Sequence, residues 1–238
     1  YMESAIKSQT NVFSDSSQGN QRYYVGELPF GSRVQQFGGW TDPAVASFRC
    51  TANLGSTNLY DAMTDAINRS LNMLRASPDE AHLIIVITDG EDTEGAHRIG
   101  PLNSLVRSVM SDGRITLVVN CPPTSVGMFS SLGIPSANVR PWEGNRASID
   151  KYATASSAGA ARYATARSSG LTMTSAYYAS PGDVPAQVLA NNLNNSLDDV
   201  TARVKVARVP SKISHPNDRI KNFADKNLGG YQVGHVFY

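Results

Sequence analysis

A run of branched apolar residues ends abruptly in acidic side chains in the segment Leu83-Ile-Ile-Val-Ile-Thr-Asp-Gly-Glu-Asp92. A run that is apolar on both faces predicts a buried parallel strand. In open α/β sheets, ligands bind beyond the carboxyl ends of such strands. We therefore look for a cation or an anionic group at this point, with Asp89 as the first candidate ligand.

A second loop carries hydroxyl groups just before a helix, in Gly55-Ser-Thr-Asn-Leu-Tyr-Asp-Ala-Met63. Apolar residues at three- and four-residue spacing predict a helix over 58–75, and Asn58 with Asp61 makes an N-cap pair. If both loops lie at the carboxyl edge, the Thr57 hydroxyl and the Asp89 carboxylate supply oxygen ligands suited to Mg²⁺. The alternatives are structural: Thr57 as a helix cap and Asp89 as the cap of the following turn.

The remaining pattern predicts alternating helices and strands. We expect helices over 1–18, 102–110, 126–132, 148–167 and 183–204, and strands over 22–34, 34–40, 83–88, 114–121, 138–142 and 171–178. This alternation favours a doubly wound, mostly parallel α/β sheet flanked by helices. We assign residues 1–202 to this domain. Residues 203–238 form a basic extension, either an addition to the sheet or the start of a further segment, with a final strand over 231–238.

In both motifs and their order the chain resembles the von Willebrand factor A domain family. The resemblance implies a metal-ion-dependent adhesion site in which Thr57 and Asp89 hold Mg²⁺, for which Mn²⁺ or Ca²⁺ could substitute. It also implies a non-enzymatic role, in which an Asp or Glu carboxylate of a protein partner completes the coordination. The rim that contacts the partner would comprise Ser56, Gly90, Glu91 and Asp92; the alternative for the acidic members is a solvated surface.

The family's first metal-binding loop, Asp-x-Ser-x-Ser, does not appear in the chain. Phe13-Ser-Asp-Ser-Ser-Gln-Gly19 offers Asp15 and Ser17, but no apolar strand precedes it. We expect instead that the chain begins inside the helix that follows this loop; a degenerate domain without metal is the third alternative. A structural subunit of a larger assembly, such as a phage virion, is the first rival function. A Mg²⁺-dependent hydrolase is the second.

Composition narrows the remaining classes. A formal net charge of +1 gives no general attraction to nucleic acid or anionic membranes, and no apolar run reaches the roughly 20 residues of a membrane span. The four histidines are scattered, and no zinc, phosphate-loop, dinucleotide or nucleophile-elbow motif occurs. Two cysteines, Cys50 and Cys121, are too few for a disulfide framework, and we favour two buried reduced thiols over a single bridge between them. We expect a cytoplasmic protein, with the virion as the alternative.

Overall fold

The computed structural model describes most of the first 179 residues and a short segment near the end of the chain. The described residues are 2–17, 21–48, 56–77, 79–90, 92–93, 99–143, 145–171 and 175–179, together with the backbone of 236–237. Among them, no helix is both long enough and apolar enough to cross a membrane.

Five helices and five strands alternate along the described chain. The helices are α1 (Met2–Ser16), α2 (Leu59–Ala76), α3 (Ile99–Asp112), α4 (Val126–Ser131) and α5 (Arg146–Ser168). The strands are β1 (Val25–Gly26), β2 (His82–Ile87), β3 (Ile115–Cys121), β4 (Val139–Pro141) and β5 (Val236–Phe237).

The strands form one sheet in the order β1-β5-β2-β3-β4. β2 pairs in parallel with β3 from His82 opposite Ile115 to Ile87 opposite Asn120, and β3 pairs in parallel with β4. β5 is antiparallel to both β1 and β2. The chain is thus an α/β protein with three parallel strands, and α3 and α4 precede the second and third of them.

Alternate residues of the central strands enter two separate cores, because successive side chains of a strand point to opposite faces. Leu83 and Ile85 of β2 pack with residues of α1 and α5. Ile84 and Val86 pack with residues of α2 and α3. The parallel sheet is therefore covered by helices on both faces, and functional groups must lie at its edges.

Most predicted elements are confirmed with shifts of one to three residues at their ends. The exceptions are predicted strands whose conformation depends on contacts with residues distant in the sequence. The strand predicted over 22–34 is reduced to β1, with isolated bridges from Val25 to Thr41 and from Phe30 to Val34. No strand forms over 34–40, where the Phe37 ring packs edge-on against Trp40 and above Gly26. Separate backbone hydrogen bonds, such as those between Val25 and Thr41, take the place of the predicted regular ladder.

The strand predicted over 171–178 is also wrong for its described residues. Residues 175–179 form a turn in which the Tyr177 amide donates to Asn138 Oδ1 at 2.9 Å and the Tyr178 amide donates to the Ala137 carbonyl at 2.7 Å. These partners are distant in sequence, so local propensity did not reveal them. The predicted helix over 183–204 and the boundary at 202 lie outside the described residues. Of the predicted final strand, residues 236–237 are described and are strand.

Candidate functional site

The turn after β2 presents Asp89 to solvent. The Thr88 amide continues the parallel pairing by donating to the Asn120 carbonyl at 2.9 Å. The Thr88 hydroxyl then donates to the Gly90 carbonyl at 2.9 Å and accepts from the Gly90 amide at 3.2 Å. Thr88 is buried, and its hydroxyl bonds both backbone groups of Gly90. Asp89 lies between these two residues, and its side chain is exposed to solvent.

The loop before α2 lies directly against this turn. The Thr57 Oγ1 atom is 3.8 Å from the position that a Cβ atom would take on Gly90. Thr57 and Ser56 are half-buried. The structure therefore brings the Thr57 hydroxyl beside the turn that carries Asp89, as the two motifs predict, although 32 residues separate them in the chain.

Two residues that follow the turn hold the loops together. The Thr57 amide donates to Thr93 Oγ1 at 2.8 Å, and the Thr93 amide donates to the Thr57 carbonyl at 2.9 Å. The Asp92 carboxylate accepts from the Tyr60 amide at 2.7 Å. These bonds join the start of α2 to the segment after β2.

Asp92 performs the capping role that the sequence assigned to Asn58. Asn58 occupies the N-cap position of α2, but its side chain makes no capping hydrogen bond. The first amides of a helix lack partners inside the helix and carry partial positive charge. A carboxylate from a distant loop satisfies one of them here, so Asn58 occupies the predicted N-cap position without making the predicted capping bond. Asp92, predicted as a rim residue, is half-buried and is engaged in the cap.

The two predicted ligands have their oxygen atoms outside this hydrogen-bond network. In the part of the chain that the structure describes, neither the Thr57 hydroxyl nor the Asp89 carboxylate takes part in a hydrogen bond. The neighbouring Asn58 Oδ1 is buried and accepts no hydrogen bond there. The Thr57 hydroxyl, the Asp89 carboxylate and Asn58 Oδ1 therefore lie at this edge as oxygen atoms without a hydrogen-bond partner in the described residues.

These donors fit a hydrated Mg²⁺ ion. Mg²⁺ takes oxygen ligands and retains several waters, so one carboxylate and one hydroxyl are a compatible protein contribution. Within the described ranges, no group of three or more His, Cys, Asp or Glu side chains is placed to hold a metal. Glu91, two residues after Asp89, lies outside those ranges.

The first-loop candidate takes a different conformation from the one required. Asp15 lies in the last turn of α1, and Ser17 directly follows that helix with its hydroxyl bonded to the Phe13 carbonyl at 3.0 Å. A helix, and not a strand, leads into this segment. Asp15 and Ser17 therefore do not form a loop at the end of a strand.

A second polar cluster lies at the carboxyl end of β3, on the face covered by α5. The Tyr178 hydroxyl donates to Asn120 Oδ1 at 2.7 Å and lies 3.3 Å from the Ser156 hydroxyl. Burial raises the pKa of Tyr178 to about 12. The next residue, Cys121, is a buried free thiol whose pKa is raised by burial to about 11. Both groups are neutral near pH 7, and Cys121 packs in the core that contains residues of α2 and α3.

Sequence reasoning missed Thr93 and the actual role of Asp92. Thr93 lies one residue beyond the motif of residues 83–92, and Asp92 closes that motif but was assigned to the rim; their partners lie 36 and 32 residues earlier in the chain. The only sequence signal was their position just after the acidic turn.

Comparisons with known proteins leave the site to be judged on its own geometry. No protein-family model, curated protein or solved structure matches the chain. The resemblance to von Willebrand factor A domains therefore stays a prediction that rests on the two motifs.

Proposed function

We propose that this chain is a doubly wound α/β domain of the von Willebrand factor A type that binds a protein partner through Mg²⁺. The observation that carries the proposal is the placement of the Thr57 hydroxyl beside the turn of Asp89, with neither side chain bonded by its oxygen atoms to any group in the described residues. The helices on both sheet faces and the parallel order of β2, β3 and β4 support the fold assignment.

Asp89 and Thr57 would hold the cation in this proposal. Thr88 orients Asp89 because its hydroxyl bonds both backbone groups of Gly90, and Thr93 fixes the peptide of Thr57. When bound, Mg²⁺ supplies a positive centre with open coordination positions; Mn²⁺ or Ca²⁺ could take its place. Asp89 offsets one of its two charges, and the positive remainder attracts an Asp or Glu carboxylate on the partner.

The charge at the start of α2 favours a cation over a phosphate group at this edge. A helix N-terminus ordinarily attracts anions through its free amides. Here Asp92 already bonds the Tyr60 amide, so a carboxylate of the chain itself occupies that position. This arrangement supports metal-assisted binding and argues against a Mg²⁺-dependent phosphoester hydrolase.

Calorimetric titration with MgCl₂ tests the proposal without knowledge of the partner. We expect the folded wild type to bind Mg²⁺ and Asp89→Asn to bind it at least about 100-fold more weakly, since loss of groups around a metal already costs 10- to 100-fold. Asp150→Asn, at an exposed position of α5, is the matched control and keeps wild-type affinity. A folded wild type that fails to bind Mg²⁺, or equal binding by Asp89→Asn, refutes the proposal.

A structural subunit of a larger assembly, such as a phage virion, is the second candidate. The helical position of Asp15 favours it, because the described residues then supply no first metal-binding loop. This function predicts assembly by shape alone. Sedimentation in EDTA distinguishes the two: association that persists without divalent ions supports the subunit, and association that requires Mg²⁺ supports the adhesion module. We place the adhesion module in the cytoplasm and the subunit in the virion.

A further inference from the structure

Thr93 bonds both backbone groups of Thr57. Its hydroxyl accepts from the Thr57 amide at 2.8 Å, and its own amide donates to the Thr57 carbonyl at 2.9 Å. The two bonds lie on either side of the Thr57 Cα atom. Together they prevent the Thr57 backbone from rotating relative to the segment after β2.

The orientation of this backbone determines where the Thr57 hydroxyl points. Threonine is branched at Cβ and has few accessible χ1 rotamers, so its hydroxyl follows the backbone closely. That hydroxyl lies 3.8 Å from the position that a Cβ atom would take on Gly90, the residue that follows Asp89. We propose that Thr93 is a positioning residue of the cation site, an inference that rests on the proposed Mg²⁺-binding function.

The hydroxyl of Thr93 is the part of the residue that substitution can remove. Its backbone amide still reaches the Thr57 carbonyl in any variant, but the acceptor for the Thr57 amide requires Thr or Ser. Thr93 is exposed, so water can replace the lost acceptor without leaving a buried polar group. Valine is close to threonine in shape, so Thr93→Val preserves the fold and loosens the orientation of the Thr57 hydroxyl.

Two measurements on the full chain test this inference. Titration with Mn²⁺ followed by electron paramagnetic resonance gives the affinity for the metal alone, and amide hydrogen exchange reports protection at Thr57. We expect Thr93→Val to bind Mn²⁺ about tenfold more weakly than wild type and to exchange faster at Thr57. Thr93→Ser restores both values. Thr154→Val on α5, which also loses a hydroxyl, matches wild type.

Three outcomes overturn the inference. Wild-type Mn²⁺ affinity in Thr93→Val, with faster exchange at Thr57, refutes positioning by Thr93 and leaves the proposed function standing. Equal weakening in Thr93→Val and Thr93→Ser shows that the hydroxyl is not responsible. A wild type that binds no Mn²⁺ refutes the proposed function, and the inference falls with it. If Thr93→Val does not fold, Thr93→Ala provides the same comparison with a smaller side chain.

Discussion

Gly159 in the middle of α5 provides a sharp test of the packing between α5 and the turn at 175–179. A Cβ atom added at Gly159 would lie less than 3.0 Å from three carbons of the Tyr177 ring. That ring is fully buried, and its hydroxyl accepts from Gln9 Nε2 at 2.5 Å and donates to the Ser156 carbonyl at 3.2 Å. The ring is held at both of these contacts and has little freedom to move.

Two opposing effects decide the stability of Gly159→Ala. Glycine inside a helix costs about 1 kcal/mol relative to alanine, so helix propensity favours the substitution. Forcing a methyl group into a packed core costs about 1–3 kcal/mol. Because the overlapping atoms belong to an anchored ring, we expect the upper half of this range and a net loss of about 1–2 kcal/mol of unfolding free energy.

Urea unfolding followed by circular dichroism measures this change. Gly127→Ala in α4 is the control, because a Cβ atom there meets no atom within 4 Å, and we expect no loss of stability. Tyr177→Ala is destabilised by itself, but Gly159→Ala added to it should become neutral or stabilising, and this coupling isolates the contact. A stabilising Gly159→Ala in the wild-type background would refute the packing of Tyr177 against α5.

Two further predictions concern the site loop and the amino-terminal end of β2. Asp92→Ala removes the acceptor for the Tyr60 amide and should cost about 1 kcal/mol in urea unfolding, whereas Asp92→Asn keeps an acceptor and should cost less; equal losses would contradict the cap. Burial of His82 lowers its pKa below the ordinary 6.5, with Glu80 opposing and Arg114 adding to this shift. The unfolded chain therefore binds the proton more readily, and His82 should destabilise the fold as pH falls through about 6.5, by at most about 1.4 kcal/mol per pH unit. Stability curves for wild type and His82→Gln that run parallel from pH 8 to pH 5 would contradict this.

Local patterns in the sequence predicted the elements that position the site. The apolar spacing of 58–75 and the uninterrupted apolar run of 83–87 each correspond to one element, because periodicity depends only on neighbouring residues. The same patterns placed Thr57 and Asp89 at the ends of those elements. Their proximity followed from the rule that ligand loops gather at the carboxyl edge of a parallel sheet.

These local patterns did not predict which distant segments pair or contact each other. The run over 22–34 has strand-forming residues, yet β1 comprises Val25 and Gly26, and the Phe37 ring packs above Gly26. Asn138 accepts a hydrogen bond from the Tyr177 amide, and the described residues 175–178 of a predicted strand form a turn instead. In both cases tertiary contacts outweigh a preference of the order of 1 kcal/mol, the range of β-propensity.

The sequence by itself determined the alternation of helices and strands. It also placed Thr57 just before α2 and Asp89 just after β2. Only the tertiary structure decided that Asp92 caps α2 and that Thr93 holds Thr57, because hydrogen bonds across more than 30 residues leave no periodic trace in the chain. Within the described residues, the Asp89 carboxylate and the Thr57 hydroxyl take no part in this hydrogen-bond network.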